Sequence, residues 1–122
     1  MHRDSFVASR TFRGSSGDAE HFITVSAPEG LDLKGQIDAI DARYAAARKD
    51  LGLEPGTAVF RRLFISDVLN QTAAVRASPL AGQADESPVA VSIVQQPPLP
   101  GSKIALLAYH VESRAPAVKR RL

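Results

Sequence analysis

Residues 89–111 read VAVSIVQQPPLPGSKIALLAYHV, two apolar runs separated by three prolines and a glycine. Proline and glycine punctuate strands rather than continue them, so the pattern predicts strands over 89–95 and 103–112 joined by a stiff loop. Alternation then sets Ile104, Leu106 and Ala108 against Ala105, Leu107 and Tyr109 on opposite faces of the second strand. Both sets are apolar, the signature of a strand covered from both sides. Any fold for this chain has to supply two covers for one sheet.

A further strand over 57–66 (TAVFRRLFIS) repeats the message. Strict alternation puts Val59, Arg61, Leu63 and Ile65 on one face and Ala58, Phe60, Arg62 and Phe64 on the other. Upstream, 5–12 and 21–26 (HFITVS) read as a hairpin around Gly14, Ser15, Ser16 and Gly17, ended by Pro28 and Gly30. Between the hairpin and the 57–66 strand, Ile37, Ile40, Tyr44, Ala47 and Leu51 recur at three and four, one apolar stripe of a helix. Gly52 stands where a left-handed cap belongs, and Pro55 prevents continuation. Asp67 is an N-cap for a second helix over 68–77, closed by Pro79 and Gly82.

The order is β-β-α-β-α-β-β, an α+β fold with a mixed sheet and two helices on one face. Two short helices cover one face only. The second cover is expected from further copies of the chain in a closed symmetric oligomer.

A chain of 122 residues is expected to form one domain, 1–122. It has no cysteine, which removes disulfides, thiolate metal sites and cysteine nucleophiles. His2, His21 and His110 have no metal-ligand spacing, and no metal or organic cofactor is expected. His21 and His110, at a strand start and near a strand end, are expected at the surface. There is no glycine-rich phosphate loop and no nucleophile–base–acid constellation, so no catalytic residue is assigned. The start has no apolar run of signal-peptide length, and no stretch reaches the roughly 20 apolar residues of a membrane span. A cytoplasmic location without membrane contact is the expectation. Arg114, Lys119, Arg120 and Arg121 make residues 113–122 a basic tail. Such a tail reads as a solvated, flexible terminus. Clustered cations also suit phosphates, but no aromatic residues interleave to stack bases, and nucleic acid is not an expected partner.

Five segments in this order, HFITVSAP, DLGLEPGTAVFRRLFISD, DVLNQTAAVRA, SPVAVSIV and SKIALLAYHV, resemble the YjgF/RidA superfamily (endoribonuclease L-PSP, reactive imine deaminases) over residues 6–111. The resemblance implies a chorismate-mutase-like fold and a homotrimer whose sheets line a central barrel, with a small-molecule cleft between adjacent subunits. Family enzymes use those clefts to hydrolyse imines and enamines without a metal or organic cofactor. There an arginine holds the substrate carboxylate, because a guanidinium fork matches a planar carboxylate. In this chain the corresponding position falls at Pro88, or at Ser87 with a shift of one residue, and the acidic position of the last strand falls at Ala105 or Leu107. The implied reading is a RidA-like protein whose cleft has diverged from the standard deaminase. A non-catalytic ligand- or partner-binding trimer is the alternative, and an RNA-binding, endoribonuclease-like protein the third.

The candidate cleft residues are Ser26, Arg61, Arg62, Ser87, Ser92, Gln95 and Tyr109. Arg61 and Arg62 point to opposite faces, and either is a substitute anion site or an arginine in an ion pair or lying along the surface. Ser26 caps a turn or lines the cleft. Ser92, mid-strand, bonds a neighbouring carbonyl or faces a ligand. Tyr109 packs an interface or contacts a ligand. Gln95, with Gln96, Pro97 and Pro98, spaces two strands rigidly or reads a ligand with its amide. Asp85 and Glu86 are solvated loop carboxylates, or one of them orients a water.

Overall fold

The structure, a computed structural model, describes residues 6–14, 17–28, 30–81, 89–95 and 103–112. The elements run β1 (Val7–Arg13), β2 (Ala19–Val25), α1 (Leu33–Leu51), a 3-10 turn (Pro55–Thr57), β3 (Ala58–Ile65), α2 (Val68–Arg76), a second 3-10 turn (Pro79–Ala81), β4 (Ala90–Gln95) and β5 (Ile104–Glu112). This is the expected order, with two helices and a five-stranded mixed sheet. The strands lie β1-β2-β5-β3-β4. Only β3 and β4 are parallel, and α2 is their crossover. The last strand, β5, is inserted between β2 and β3 and runs antiparallel to both. Both backbone edges of this strand are therefore hydrogen-bonded, while its unbroken apolar run calls for a cover over each face.

The helix ends follow the sequence signals. Asp32 caps α1, its side chain accepting from the Gly35 amide at 2.8 Å. Gly52 closes it at φ 68°, where a side chain would be strained. The Leu53 amide reaches back to the Arg48 carbonyl at 2.9 Å. Asp67 caps α2 by accepting from the Asn70 amide at 3.3 Å. Such a cap is worth about 1 kcal/mol; each fully buried isoleucine or leucine is worth about twice that, so packing decides where the helices sit. Ile37, Ile40, Tyr44 and Ala47 of α1, with Val75 of α2 and Leu80 beyond it, close over Ile23, Val25, Leu63, Ile65, Ile104, Leu106 and Ala108 of the sheet.

Two expectations are corrected. Strict alternation in β3 fails at its start: Ala58 pairs with His110 and Phe60 with Tyr109, so Val59 is an extra residue in a bulge. Ala58 therefore faces the helices and is buried, while Val59 is 40% exposed. From Phe60 onward the alternation holds. His21 and His110 are not surface residues either. They are cross-strand partners on the helix side of the sheet, 2% and 1% exposed. They stay inside because both ring nitrogens of each have hydrogen-bond partners.

Among the described residues no helix lies on the other face of the sheet. Arg10 and Phe12 of β1, Glu20, Phe22 and Thr24 of β2, Leu107 and Tyr109 of β5, Phe60, Arg62 and Phe64 of β3, and Ser92 and Val94 of β4 share it by register. Its centre is apolar and aromatic.

Candidate functional site on the open face of the sheet

Arg61 and Arg62 diverge as adjacent strand residues must. Arg61 turns inward and is fully buried. Its Nε donates to the Tyr44 hydroxyl at 3.4 Å and its Nη1 to the Leu80 carbonyl at 3.3 Å. It joins α1, β3 and the turn after α2, and it is a structural cation. The Tyr44 oxygen lies 2.6 Å from His110 Nε2, and His110 Nδ1 lies 2.8 Å from Thr57 Oγ1. Thr57 donates its own proton to the Glu54 carbonyl at 2.8 Å. Its oxygen must therefore accept from His110 Nδ1, which leaves Nε2 to accept from Tyr44. Protons thus point one way from Arg61 through Tyr44 and His110 to Thr57. Burial, and then the charges of Arg61, Arg48 and His21, push the His110 imidazole down to about 4. It is neutral at pH 7, as this chain of bonds requires.

Arg62 turns outward to the open face and is exposed. Its guanidinium carbon lies 6.0 Å from the centre of the Phe60 ring, at the outer limit of a cation–π contact. Ser92 of β4 is its register partner, exposed on the same face. On its other side Arg62 pairs with Leu107, two residues from Tyr109. Tyr109 packs against Phe60 at 5.4 Å and Phe22 at 4.8 Å between ring centres, and Phe22 meets Phe12 edge-on at 5.9 Å. The Tyr109 hydroxyl donates to Glu20 Oε1. That bond, with burial and the Glu20 charge behind it, pushes the phenol up to about 12.

Of the sequence candidates, then, Arg62, Ser92 and Tyr109 come together on the open face, and Arg61 is separated from them by the sheet. Ser26 follows β2, its amide bonded to the Phe6 carbonyl. Gln95 belongs to the helix side: its Oε1 accepts from the Val68 amide at 2.8 Å and satisfies the first turn of α2. Ser87 and Pro88, Asp85 and Glu86, Gln96 to Pro98, His2 and the basic tail lie outside the described residues. Glu20 was missed. No local signal marks it, because its partner Tyr109 is 89 residues away. Among the described residues no three histidine or acidic side chains converge as a metal site would need, and no helix is long and apolar enough to cross a membrane.

No protein-family model matches the chain, and no curated protein matches it at a significant level. Solved structures do. A member of the YjgF protein family from Neisseria meningitidis superposes with a TM-score of 0.65 at 14% identity, covering 88% of this chain and 98% of that one. RidA from an Antarctic Psychrobacter gives 0.59 at 16% identity, covering 82% and 84%. The YjgF gene product of E. coli gives 0.59 at 25% identity, covering 74% and 80%. The hairpin, the two helices on one side and the last strand threaded into the middle of the sheet are therefore shared architecture, and the fold of this chain is that of the YjgF/RidA proteins.

Proposed function

We propose that this chain forms a closed ring of three copies through the open sheet face and binds a small carboxylate in the cleft between copies, with Arg62 as its anchor. The observation that carries the reading is the placement of Arg62: an exposed guanidinium beside Ser92 and the Phe60 ring, on the face that no described helix covers. A guanidinium offers two parallel donors to a carboxylate, and a flanking hydroxyl adds a third. Arg10 shares the face but sits on the edge strand β1, away from Ser92. The apolar centre of the face supports the ring, since an exposed Phe12 and the half-buried Phe22, Phe60, Phe64, Leu107 and Tyr109 favour further burial against a neighbour. The resemblance to RidA proteins supports three as the number of copies.

The anchor belongs to β3, whereas the family arginine would align in the sequence at Pro88 or Ser87, so the chemistry of this reading diverges from standard deamination. The hydroxyls bonded to an imidazole, Thr11 to His21 and Thr57 to His110, belong to the helix side of the sheet and not to the face that carries Arg62. Ligand binding without catalysis is therefore the reading adopted. Imine hydrolysis is the second reading, favoured by the exposed Glu20 carboxylate on the same face, a group able to hold a water. An RNA-directed role draws only on the basic tail.

Thermal unfolding with pyruvate and 3-phenylpropionate, for the wild type and Arg62→Ala, tests the proposal. A carboxylate-dependent rise in melting temperature that Arg62→Ala abolishes is expected. A rise unaffected by that substitution, or no rise with either acid, overturns it. Coupling the protein to an imine-generating dehydratase separates the two readings, because only a hydrolase accelerates imine decay.

A further inference from the structure

The open face carries a group that can only donate hydrogen bonds and, beside it, a group that can only accept them. Arg62 is the donor: a guanidinium has five N–H groups and no lone pair to offer. The acceptor is the Tyr109–Glu20 pair. A phenol has one proton, and that of Tyr109 is committed to Glu20 Oε1. The oxygen of Tyr109 then presents only its lone pairs, and Glu20 Oε2 can only accept as well. The phenol does not ionise near neutral pH, held up at about 12 first by this bond. A ligand carboxylate at this end would meet a carboxylate of the same sign, and neither Tyr109 nor Glu20 has a donor left for it. An ammonium or amine N–H meets both of its requirements there.

The separation suits a small molecule. Arg62 and Tyr109 stand on neighbouring antiparallel strands, because Arg62 pairs with Leu107, two residues before Tyr109. The backbones of diagonal neighbours on one face are about 7–8 Å apart, and the Arg62 guanidinium carbon lies 6.0 Å from the ring of Phe60, the register partner of Tyr109. The floor between and beside them is apolar: Leu107, Phe60 and Phe22.

We propose that the ligand is a zwitterion, a free α-amino acid with an apolar side chain. Its carboxylate lies on Arg62, its ammonium on the Tyr109 oxygen and Glu20, and its side chain over the Phe60 and Phe22 rings. The inference rests on the anion-site reading above and adds the second pole. Tyr109 and Glu20 set specificity in it, separating amino acids from plain carboxylic acids of the same shape.

The experiment is titration calorimetry on the full-length protein with L-phenylalanine and 3-phenylpropionate, which differ by the ammonium alone. Phenylalanine should bind about tenfold more tightly, roughly what one charge-assisted hydrogen bond supplies. Glu20→Gln keeps an acceptor for the Tyr109 proton but loses the charge, and Tyr109→Phe loses the acceptor oxygen. Each should erase most of the tenfold preference by weakening phenylalanine while leaving 3-phenylpropionate unchanged or tighter. Arg62→Ala should weaken both ligands. Equal binding of the two ligands that still depends on Arg62, or a preference that survives both Glu20→Gln and Tyr109→Phe, overturns the zwitterion and leaves the anion site standing. Binding independent of Arg62 removes both.

Discussion

The Tyr44 hydroxyl lies 2.6 Å from His110 Nε2, joining the middle of α1 to the central strand of the sheet through one hydrogen bond. This contact is the midpoint of a one-way run of donors from Arg61 to Thr57, and a run of that kind exists only while the imidazole is neutral.

Stability should therefore fall in acid over a defined range. The folded His110 value, about 4, lies below the ordinary 6.5 of an unfolded histidine. The unfolded chain binds the extra proton first. The contribution is complete above pH 6.5, is lost as the pH falls from 6.5 to about 4, and changes no further below that. Its size is at most about 3 kcal/mol. Denaturant unfolding at pH 7 and pH 4 checks this: His110→Gln should lose less stability over that interval than the wild type. An equal loss would assign the acid sensitivity to other groups.

Tyr44→Phe keeps the ring that Arg48 and Arg61 flank at 4.3 and 5.1 Å but removes the hydroxyl between His110 and Arg61. Two buried groups lose a partner, at a cost of about 2–3 kcal/mol. Thr57→Val removes the bonds to His110 Nδ1 and to the Glu54 carbonyl, but at the less buried end of the run, and should cost less. The two unfolding midpoints, read in the same urea series, decide whether the order is right.

The start of α2 has two separate acceptors: Asp67 for the Asn70 amide and Gln95 for the Val68 amide. Asp67→Ala and Gln95→Ala should each cost about 1 kcal/mol. Neither should alter carboxylate binding, since Gln95 faces the helix side. A change in ligand affinity in Gln95→Ala would return this residue to the cleft.

Leu106 and Leu107 are adjacent and face opposite ways, which separates folding from assembly. Leu106 is 1% exposed in the core, and Leu106→Ala should cost about 2–5 kcal/mol. Leu107→Asp places a charge on the open face and should leave a folded monomer. Light scattering coupled to size-exclusion chromatography reads the mass directly. An unchanged trimer mass, or a wild type that is itself monomeric, would show that this face is not the interface.

Much of the architecture was legible because it is written in local periodicity. The stripe ending at Leu51, the glycine at 52 and the aspartate at 67 each state their role within a few residues. That β5 is apolar on both faces could be read from alternation, but its insertion between β2 and β3 could not, because alternation does not name a strand's neighbours. The inward and outward split of Arg61 and Arg62 also followed from alternation, but which arginine went which way did not. Only the partners that Tyr44 and Leu80 offer from other elements decide that. The burial of His21 and His110 was illegible for a related reason. A histidine is tolerated inside when its ring nitrogens are partnered, and Tyr44, Thr57, Thr11 and Glu112 come from other elements. The Glu20–Tyr109 pair joins the second strand to the last, a contact that no window of sequence contains.

The bulge at Val59 makes the strand robust to one kind of change and fragile to another. Ahead of it, Ala58 pairs with His110 and Thr57 accepts the imidazole proton; behind it, Arg61 is set inward and Arg62 outward. The extra residue is what lets both halves keep their register. Replacing Val59 by another β-branched residue changes little, since it is already 40% exposed. Deleting it forces a choice between the imidazole bond on one side and the arginine placement on the other. At that point a change of side chain is cheap and a change of length is not.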